Sequence, residues 1–576
     1  MFLAKSALLI LVCFFLSNAI CAIAATVNLD WKIEYTNVTR LCHTKSLISV
    51  NGQFPGPTVY VTEGDTVIVN VTNLVSNNVT IHWHGVRQLL SAWADGPVYI
   101  TQCPIQTGHS YVHRFQVTGQ RGTLFWHAHI SWLRATLYGA FIILPKQSAS
   151  YPFSTPTTDF PIVLGEWWNS NVEDVIAEAL ATGGGYNISD ALTINGQPGN
   201  LYDCSQQDTP TFNVTQGKTY LLRVINAAVN FQLYFGVTGH NLTVVEADAE
   251  YTKPYNTPYI VLAPGQTTNV LLTANQTAGQ YYMAASVFSP APIGPVPFPQ
   301  TATTAILNYV VSKSNRSSTS NATTSLGPLP TFPAYNDLQS VETFYRALRS
   351  QSYSKGYYYM DVPQAVDEDL LFTVGYSLQP CPQGEQCRGP LGERLSANIN
   401  NVTFADPSIS ILQAYYNQIN GVYETDFPEQ PLIDFDYTGS YNGGMQSILG
   451  TKVKVLNFNE TVQMVFQDTS LLFFESHPIH LHGQNFYEVG RGSGNYNPST
   501  DPLSFNLNDP PSRNTVSIPS GGWAAVRFRT TNPGVWYMHC HIDLHNSWGM
   551  AMAFIVKNGN GTSQTLPAPP ADLPPC

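Results

Sequence analysis

Trp536-Tyr537-Met538-His539-Cys540-His541-Ile542-Asp543-Leu544-His545 is the stretch on which the reading of this chain turns. In an extended strand, successive side chains point to opposite faces. Cys540 then faces one way, and His539 and His541 both face the other. A thiolate with imidazoles is a soft-to-borderline donor set suited to copper. One metal centre can therefore use Cys540, and a second, behind the strand, can use the two histidines. The backbone between them is a short path for electrons. His545 follows Cys540 by five residues and Met550 by ten. Cys with His and a long axial Met is the ligand set of a blue-copper electron-transfer site, which needs one more His from elsewhere.

The chain has 576 residues, too many for one hydrophobic core, so several domains are expected. Charged residues make up only 11 % and aromatics 12 %, with 42 Gly and 40 Pro, which predicts an all-β protein rich in turns. A formal net charge of −12 argues against nucleic acid as a partner. Residues 1–24 form a secretory leader: Lys5, an apolar run from Leu8 to Phe15, and the small-x-small site Ala22-Ile23-Ala24. The run is too short to span a membrane. The C-terminal Pro574-Pro575-Cys576 carries no apolar anchor tail. A secreted protein with no membrane partner is expected.

The cysteines agree with an oxidising compartment. Cys13 and Cys21 leave with the leader, and Cys540 is reserved for metal. Cys42, Cys103, Cys204, Cys381, Cys387 and Cys576 remain, enough for three disulfides. Cys381 and Cys387 are close enough to pair with each other. Asn-x-Ser/Thr sites recur from Asn37 to Asn560, so N-linked glycans are expected on surface loops.

In chain order, 25–145 reads as a first β domain and 158–311 as a second, with a Pro/Ser/Thr-rich linker between them. Residues 312–410 read as a connecting region, with an exposed loop over Ser312–Ser325 and a short helix over Asp337–Arg349. Residues 411–576 read as a third β domain with a tail. The first domain holds His82-Trp83-His84 and His127-Ala128-His129, each pair on one face of a strand. The third holds His477-Pro478-Ile479-His480-Leu481-His482 and the stretch above. The second holds only His240, read as structural.

Of the 14 histidines, all but His43, His109, His113 and His240 fall in these four clusters. A chance scatter of histidines on aromatic strands does not produce that. Six histidines suffice for a copper pair, two for a third copper, and two for the Cys540 site. Closed structural zinc sites would want more cysteine.

The four motifs, in this order and at the two ends of the chain, resemble those of the multicopper oxidases. Trp93-Ala94-Asp95-Gly96-Pro97, Gln102-Cys103-Pro104-Ile105 and residues 479–498 are similar to plant laccases in particular. The resemblance implies three cupredoxin-like Greek-key β-sandwich domains and four copper ions, three of them between domains one and three. It implies type 2 copper on His82 and His480. The type 3 pair falls on His84, His127, His129, His482, His539 and His541, and type 1 copper on His477, Cys540 and His545. Met550 falls at the axial position, where plant laccases often carry Leu. An axial Met holds the type 1 potential below that of a non-ligating residue. By the same resemblance, Cys103 pairs with Cys576 and Cys42 with Cys204.

The implied reaction takes single electrons from a phenolic substrate, with a monolignol in the cell wall or apoplast expected, and reduces dioxygen to water. The protein is expected to be a monomer. Asp95 and Asp543 are the carboxylates expected to handle protons, against turn and cap readings of the same residues. The substrate pocket is expected beside His477 and His545, lined by the loop Asp509–Asn514. An ascorbate oxidase is the nearest alternative, although that relative tends to carry Trp where this chain has Ile479. A ferroxidase would want an acidic cluster near the type 1 site. A copper-binding wall protein without turnover fits a complete ligand set poorly.

Overall fold

The computed structural model describes residues 24–576 except 147–148, 292–296, 311–325, 352–360, 440–445 and 470. The leader, apart from Ala24, and the Ser312–Ser325 loop lie outside the described residues. Six sheets pair into three β-sandwiches. In the first, a four-stranded sheet runs His43–Val50, Thr26–Arg40, Thr66–Asn73, Ser110–Gln116. It packs on a second sheet ordered Val59–Thr62, Tyr138–Leu144, Gly122–Ala128, Ile81–His84. Thr66–Asn73 shows why: its side chains alternate between half-buried and buried, with Val67, Val69 and Val71 inward. Trp31, Trp83 and Trp126 fill the space between the sheets.

The second sandwich has sheets of six and five strands over a core that includes Leu222, Phe235 and Leu272. The expected helix near Asp337 forms over Leu338–Ala347, with Asp337 accepting from the Ser340 backbone at its N-terminus, and packs on this core.

The third sandwich is the largest, with sheets of eight and five strands. The segment 312–410, read as a connector, supplies three of its strands: Glu368–Gln379, Arg394–Ile399 and Val402–Phe404. Glu368–Gln379 lies in mid-sheet, parallel to Thr461–Asp468. Its run Leu370-Leu371-Phe372-Thr373-Val374 is apolar enough to be read as a strand; the surrounding turn residues obscured it. The five-stranded sheet carries the metal motifs. His477–Leu481 pairs with Gly534–Cys540 in a register that sets Ile479 opposite Cys540 and His480 opposite His539.

Disulfides join Cys42 to Cys204, Cys103 to Cys576 and Cys381 to Cys387, and Cys540 is free and buried. The first two pairs are those the resemblance implied. Among the described residues, no helix is long and apolar enough to cross a membrane.

Candidate metal centres

Two groups of donors meet on opposite sides of the Gly534–Cys540 strand. On one side, His477, Cys540 and His545 place a ligand atom each within 4.8 Å of one another, all buried. The His477 and His545 Nδ1 atoms lie 3.3 Å apart, and His545 Nδ1 lies 3.5 Å from Cys540 Sγ. Their outer nitrogens each face a protein oxygen. His477 Nε2 lies 3.3 Å from Asp468 Oδ1. His545 Nε2–H donates to Tyr376 Oη at 2.7 Å. Burial pushes the Cys540 thiol far up, so the free thiol stays protonated until a soft cation bonds the sulfur and displaces the proton. Met550 is fully buried beside Cys540 in the same core, and its carbonyl accepts from the Cys540 backbone.

On the other side, eight histidines from two domains converge. His82 stands opposite His127 in the first sandwich, and His480 opposite His539 in the third. The decisive feature is which nitrogen each ring presents. His82 donates Nδ1–H to the Asp95 carbonyl (2.7 Å) and His127 to the Ala128 carbonyl (2.8 Å). His480 donates to the Asn514 carbonyl (2.8 Å) and His539 to the Cys540 carbonyl (2.9 Å). His482 Nδ1 bonds Asp95 Oδ2 at 2.9 Å, and His84 Nε2 bonds the Asn514 amide oxygen at 3.1 Å. Each of these partners fixes a tautomer and leaves a lone pair pointing inward. The inner Nε2 atoms of His82, His127 and His480 have no protein partner. His482 and His539 Nε2 face each other at 3.2 Å, and His84 Nδ1 lies 3.0 Å from His541 Nε2. The His482 and His539 lone pairs, aimed together with both Nδ1 atoms already bonded, repel unless a cation lies between them, so the donor set fits a metal.

Burial drives the pKa of His84, His127, His129, His480, His482 and His541 well below the usual imidazole value, and neighbouring rings add to it. His539 is pushed down to about 3 by burial. A group whose folded pKa is depressed binds more protons when unfolded, so its stabilisation is complete above the unfolded pKa and is lost as pH falls toward the folded one. The metal-free protein is therefore expected to lose thermal midpoint steadily as pH drops below about 6.5. Calorimetry across that range checks it, and a flat profile would count against neutral, inward-facing rings.

Asp95 connects two clusters, since its carbonyl holds His82 and its carboxylate holds His482. It is wholly buried, and burial raises its pKa while His82 opposes the rise. Gly96, next in the chain at φ +101°, lets the turn pass close beneath the Ile81 carbonyl; a Cβ there would lie 1.9 Å from that oxygen.

Arg134 ties the site together. It is 1 % exposed and donates to Asp543 Oδ2 (2.9 Å), the His541 carbonyl (2.9 Å) and the Ala228 and Val229 carbonyls (3.1 and 3.0 Å). One guanidinium from the first sandwich thus grips the other two. The second sandwich also backs the site with Gly265 (φ +90°), where a Cβ would come within 2.9 Å of the His541 ring. His240, read as structural, is held by Tyr309 Oη (2.6 Å) and lies in the second sandwich.

Two cavities reach the centres. One of about 350 Å3 is lined by His127, His129, His539, Tyr537 and Asp543, at the multi-histidine side. Burial raises the Asp543 pKa, and Arg134 opposes the rise. The other, of about 410 Å3, is lined by His545, Glu475, Phe473, Leu544, Trp548 and Asn230. His477 does not line it. The loop expected to line it does not either: Asn514 serves the histidine cluster, and Arg513 pairs with Asp248 at 3.2 Å across the sandwich interface. The loop follows His482 in sequence, but its strand returns beside His477–Leu481 on the cluster side. Sequence reasoning missed Asp468, Glu475, Tyr376 and Arg134. Only Glu475, two residues before His477, carried a positional signal.

A three-sandwich chain with a Cys–His₂ site on one face of a strand and a histidine cluster on the other has the build of a copper-dependent oxidase. Three family models described as multicopper oxidase match residues 32–148, 158–312 and 415–560. Laccase-22 of Oryza sativa subsp. japonica is 52 % identical over 573 residues, covering 99 % of each chain. Laccase-3 of Arabidopsis thaliana is 52 % identical over 549 residues, covering 94 % of each. The crystal structure of laccase from Botrytis aclada superposes with TM-score 0.71 at 26 % identity, over 95 % of this chain and 89 % of that one. Fet3p, a multicopper oxidase that functions in iron import, shares the fold with TM-score 0.72 at 22 % identity, over 94 % of this chain and 93 % of that one. The chain belongs to the multicopper oxidase family and, within it, to the plant laccases.

Proposed function

We propose that this laccase takes single electrons from phenols at a type 1 site built from His477, Cys540 and His545, with Met550 in the axial place. The electrons pass along Cys540 to His539 and His541. The observation that carries this reading is the alternation at one strand end: Cys540 faces His477 and His545, while the residues on either side of it face the cluster. Copper, four ions per chain in this reading, would supply the one-electron redox steps and the four-electron reduction of dioxygen to water. His82 and His480 would hold the type 2 ion, and His84, His127, His129, His482, His539 and His541 the type 3 pair.

The chain's own groups do the rest. Asn514, Asp95 and the Ala128 and Cys540 carbonyls keep the imidazoles neutral and aimed inward. Asp95 and Asp543 stand where protons are needed, one between His82 and His482, the other on the cavity beside His129 and His539. The apolar walls of the His545 cavity suit an aromatic ring, and Glu475 and the Asn230 amide suit its oxygens.

Asp95→Asn keeps the shape but cannot accept a hydrogen bond on its nitrogen. We expect copper content at the cluster to fall by about 10- to 100-fold in affinity, the usual cost of losing a group that orients a ligand. Metal analysis after dialysis, with turnover measured across pH, checks this.

The leader, the sequons and the paired cysteines support secretion as a glycoprotein, and a monomer in the apoplast is proposed; none of the sequon asparagines among the described residues is buried. Monolignols of the cell wall are the proposed phenols. Dioxygen uptake by the copper-loaded protein, with coniferyl alcohol and ascorbate in parallel, tests the function. Fast uptake with the alcohol and little with ascorbate supports it, and the reverse assigns the protein to ascorbate oxidation.

A further inference from the structure

The phenol of Tyr376 sits against the outer nitrogen of His545, on the side of the ring away from Cys540. Its hydroxyl lies 2.7 Å from His545 Nε2 and donates onward to Glu475 Oε2, which itself lies 3.4 Å from that nitrogen. With His545 Nδ1 turned toward Cys540 and His477, Nε2 must carry the ring proton. The proton order is therefore fixed: His545 N–H to Tyr376 oxygen, Tyr376 O–H to the Glu475 carboxylate. The ring is 2 % exposed and is clamped edge-to-face by Phe473 (5.1 Å), His545 (5.1 Å) and Trp548 (6.1 Å). Phe473, Glu475, His545 and Trp548 all line the 410 Å3 cavity, and Tyr376 touches each of them without lining it.

On the laccase reading above, we infer that Tyr376 is a positioning residue. It occupies the Nε2–H of His545 with an internal phenol and makes the imidazole a stronger donor to copper. A hydrogen bond to the far nitrogen of a ligating His fixes its orientation and raises its basicity. A more basic ligand favours the higher charge on the metal, so this chain lowers the type 1 potential. A phenol in the cavity meets the ring edge of His545 and sends its hydroxyl to Glu475, whose carboxylate also faces the cavity.

Tyr376→Phe removes one oxygen and keeps the packing of the ring. It is expected to raise the type 1 potential, read by redox titration of the thiolate-to-copper absorption. Glu475→Gln weakens the acceptor at the end of the chain, keeps its shape, and is expected to raise the potential as well; it serves alone if the phenylalanine variant loses the site. A potential unmoved or lowered in these variants, with the absorption intact, overturns the assignment of Tyr376. Absence of that absorption from the copper-loaded wild-type protein overturns the laccase reading and this inference with it.

Discussion

Cys540→Ser is expected to leave the protein folded and the histidine cluster loaded with metal, and to stop turnover. Serine is close in size, and the site is buried in a core where a small change of volume is tolerated. Its oxygen is a hard donor that does not replace a soft thiolate toward copper. The blue absorption should vanish, while copper analysis should show the loss of one ion and retention of the cluster. Phenol-driven dioxygen uptake should fall by on the order of 10³ or more, because an indispensable member of a coupled unit costs nearly as much as the whole unit. The cluster should still take electrons from a small strong reductant that reaches it directly. Residual uptake within about ten-fold of wild type would mean that electrons have a second way in. The route through Cys540 would then be wrong, even if every ligand were right.

Arg134→Met should produce the largest loss of stability of any single change outside the metal ligands. Arg134 and Asp543 are both buried, and Arg134 also satisfies three carbonyls from two other segments. Methionine matches the length of the stem but offers no donor. Asp543 would then be left buried without its cation, a situation that costs about 3–5 kcal/mol when one member of a buried pair is removed. The change should appear in denaturant unfolding of the metal-free protein and as a lower thermal midpoint of the loaded one. Arg134→Lys keeps the charge but offers three donors from one point to four acceptors spread over a guanidinium, so it should fall between. A loss below about 1 kcal/mol, the range of an exposed pair, would show that the three sandwiches hold together without this contact. Because the His541 carbonyl is one of the acceptors, the variant should also lose copper from the cluster more readily than any change at the molecular surface.

Not all parts of this site left the same trace in the sequence. The donors were legible because strand alternation is a local rule: His82 and His84, His127 and His129, or His539 and His541 must share a face wherever the strand goes. The pairing of Cys381 with Cys387 was legible for the same reason, since six residues leave little choice. The strand Glu368–Gln379 was not, because a buried mid-sheet strand lacks alternation and here lay among turn-forming residues. The loop Asp509–Asn514 was placed at the wrong cavity. Nothing in a sequence says which side of a sheet a return strand will serve.

The sequence by itself determined the secondary-structure type, the division of histidines into a cluster and a Cys-based site, and the bond path through His539-Cys540-His541 that joins them. All of these depend on residues a few positions apart, where backbone geometry is nearly invariant. Only the tertiary structure decided that Arg134 fastens three sandwiches, that Asp95 reaches from His82 to His482, that Gly265 makes room for His541, and that Tyr376 sits on His545. These contacts join residues from 169 to 409 positions apart, or different domains. Long-range contacts are set by how whole sheets pack, and packing is a property of all the side chains in a core together, not of any short run of them.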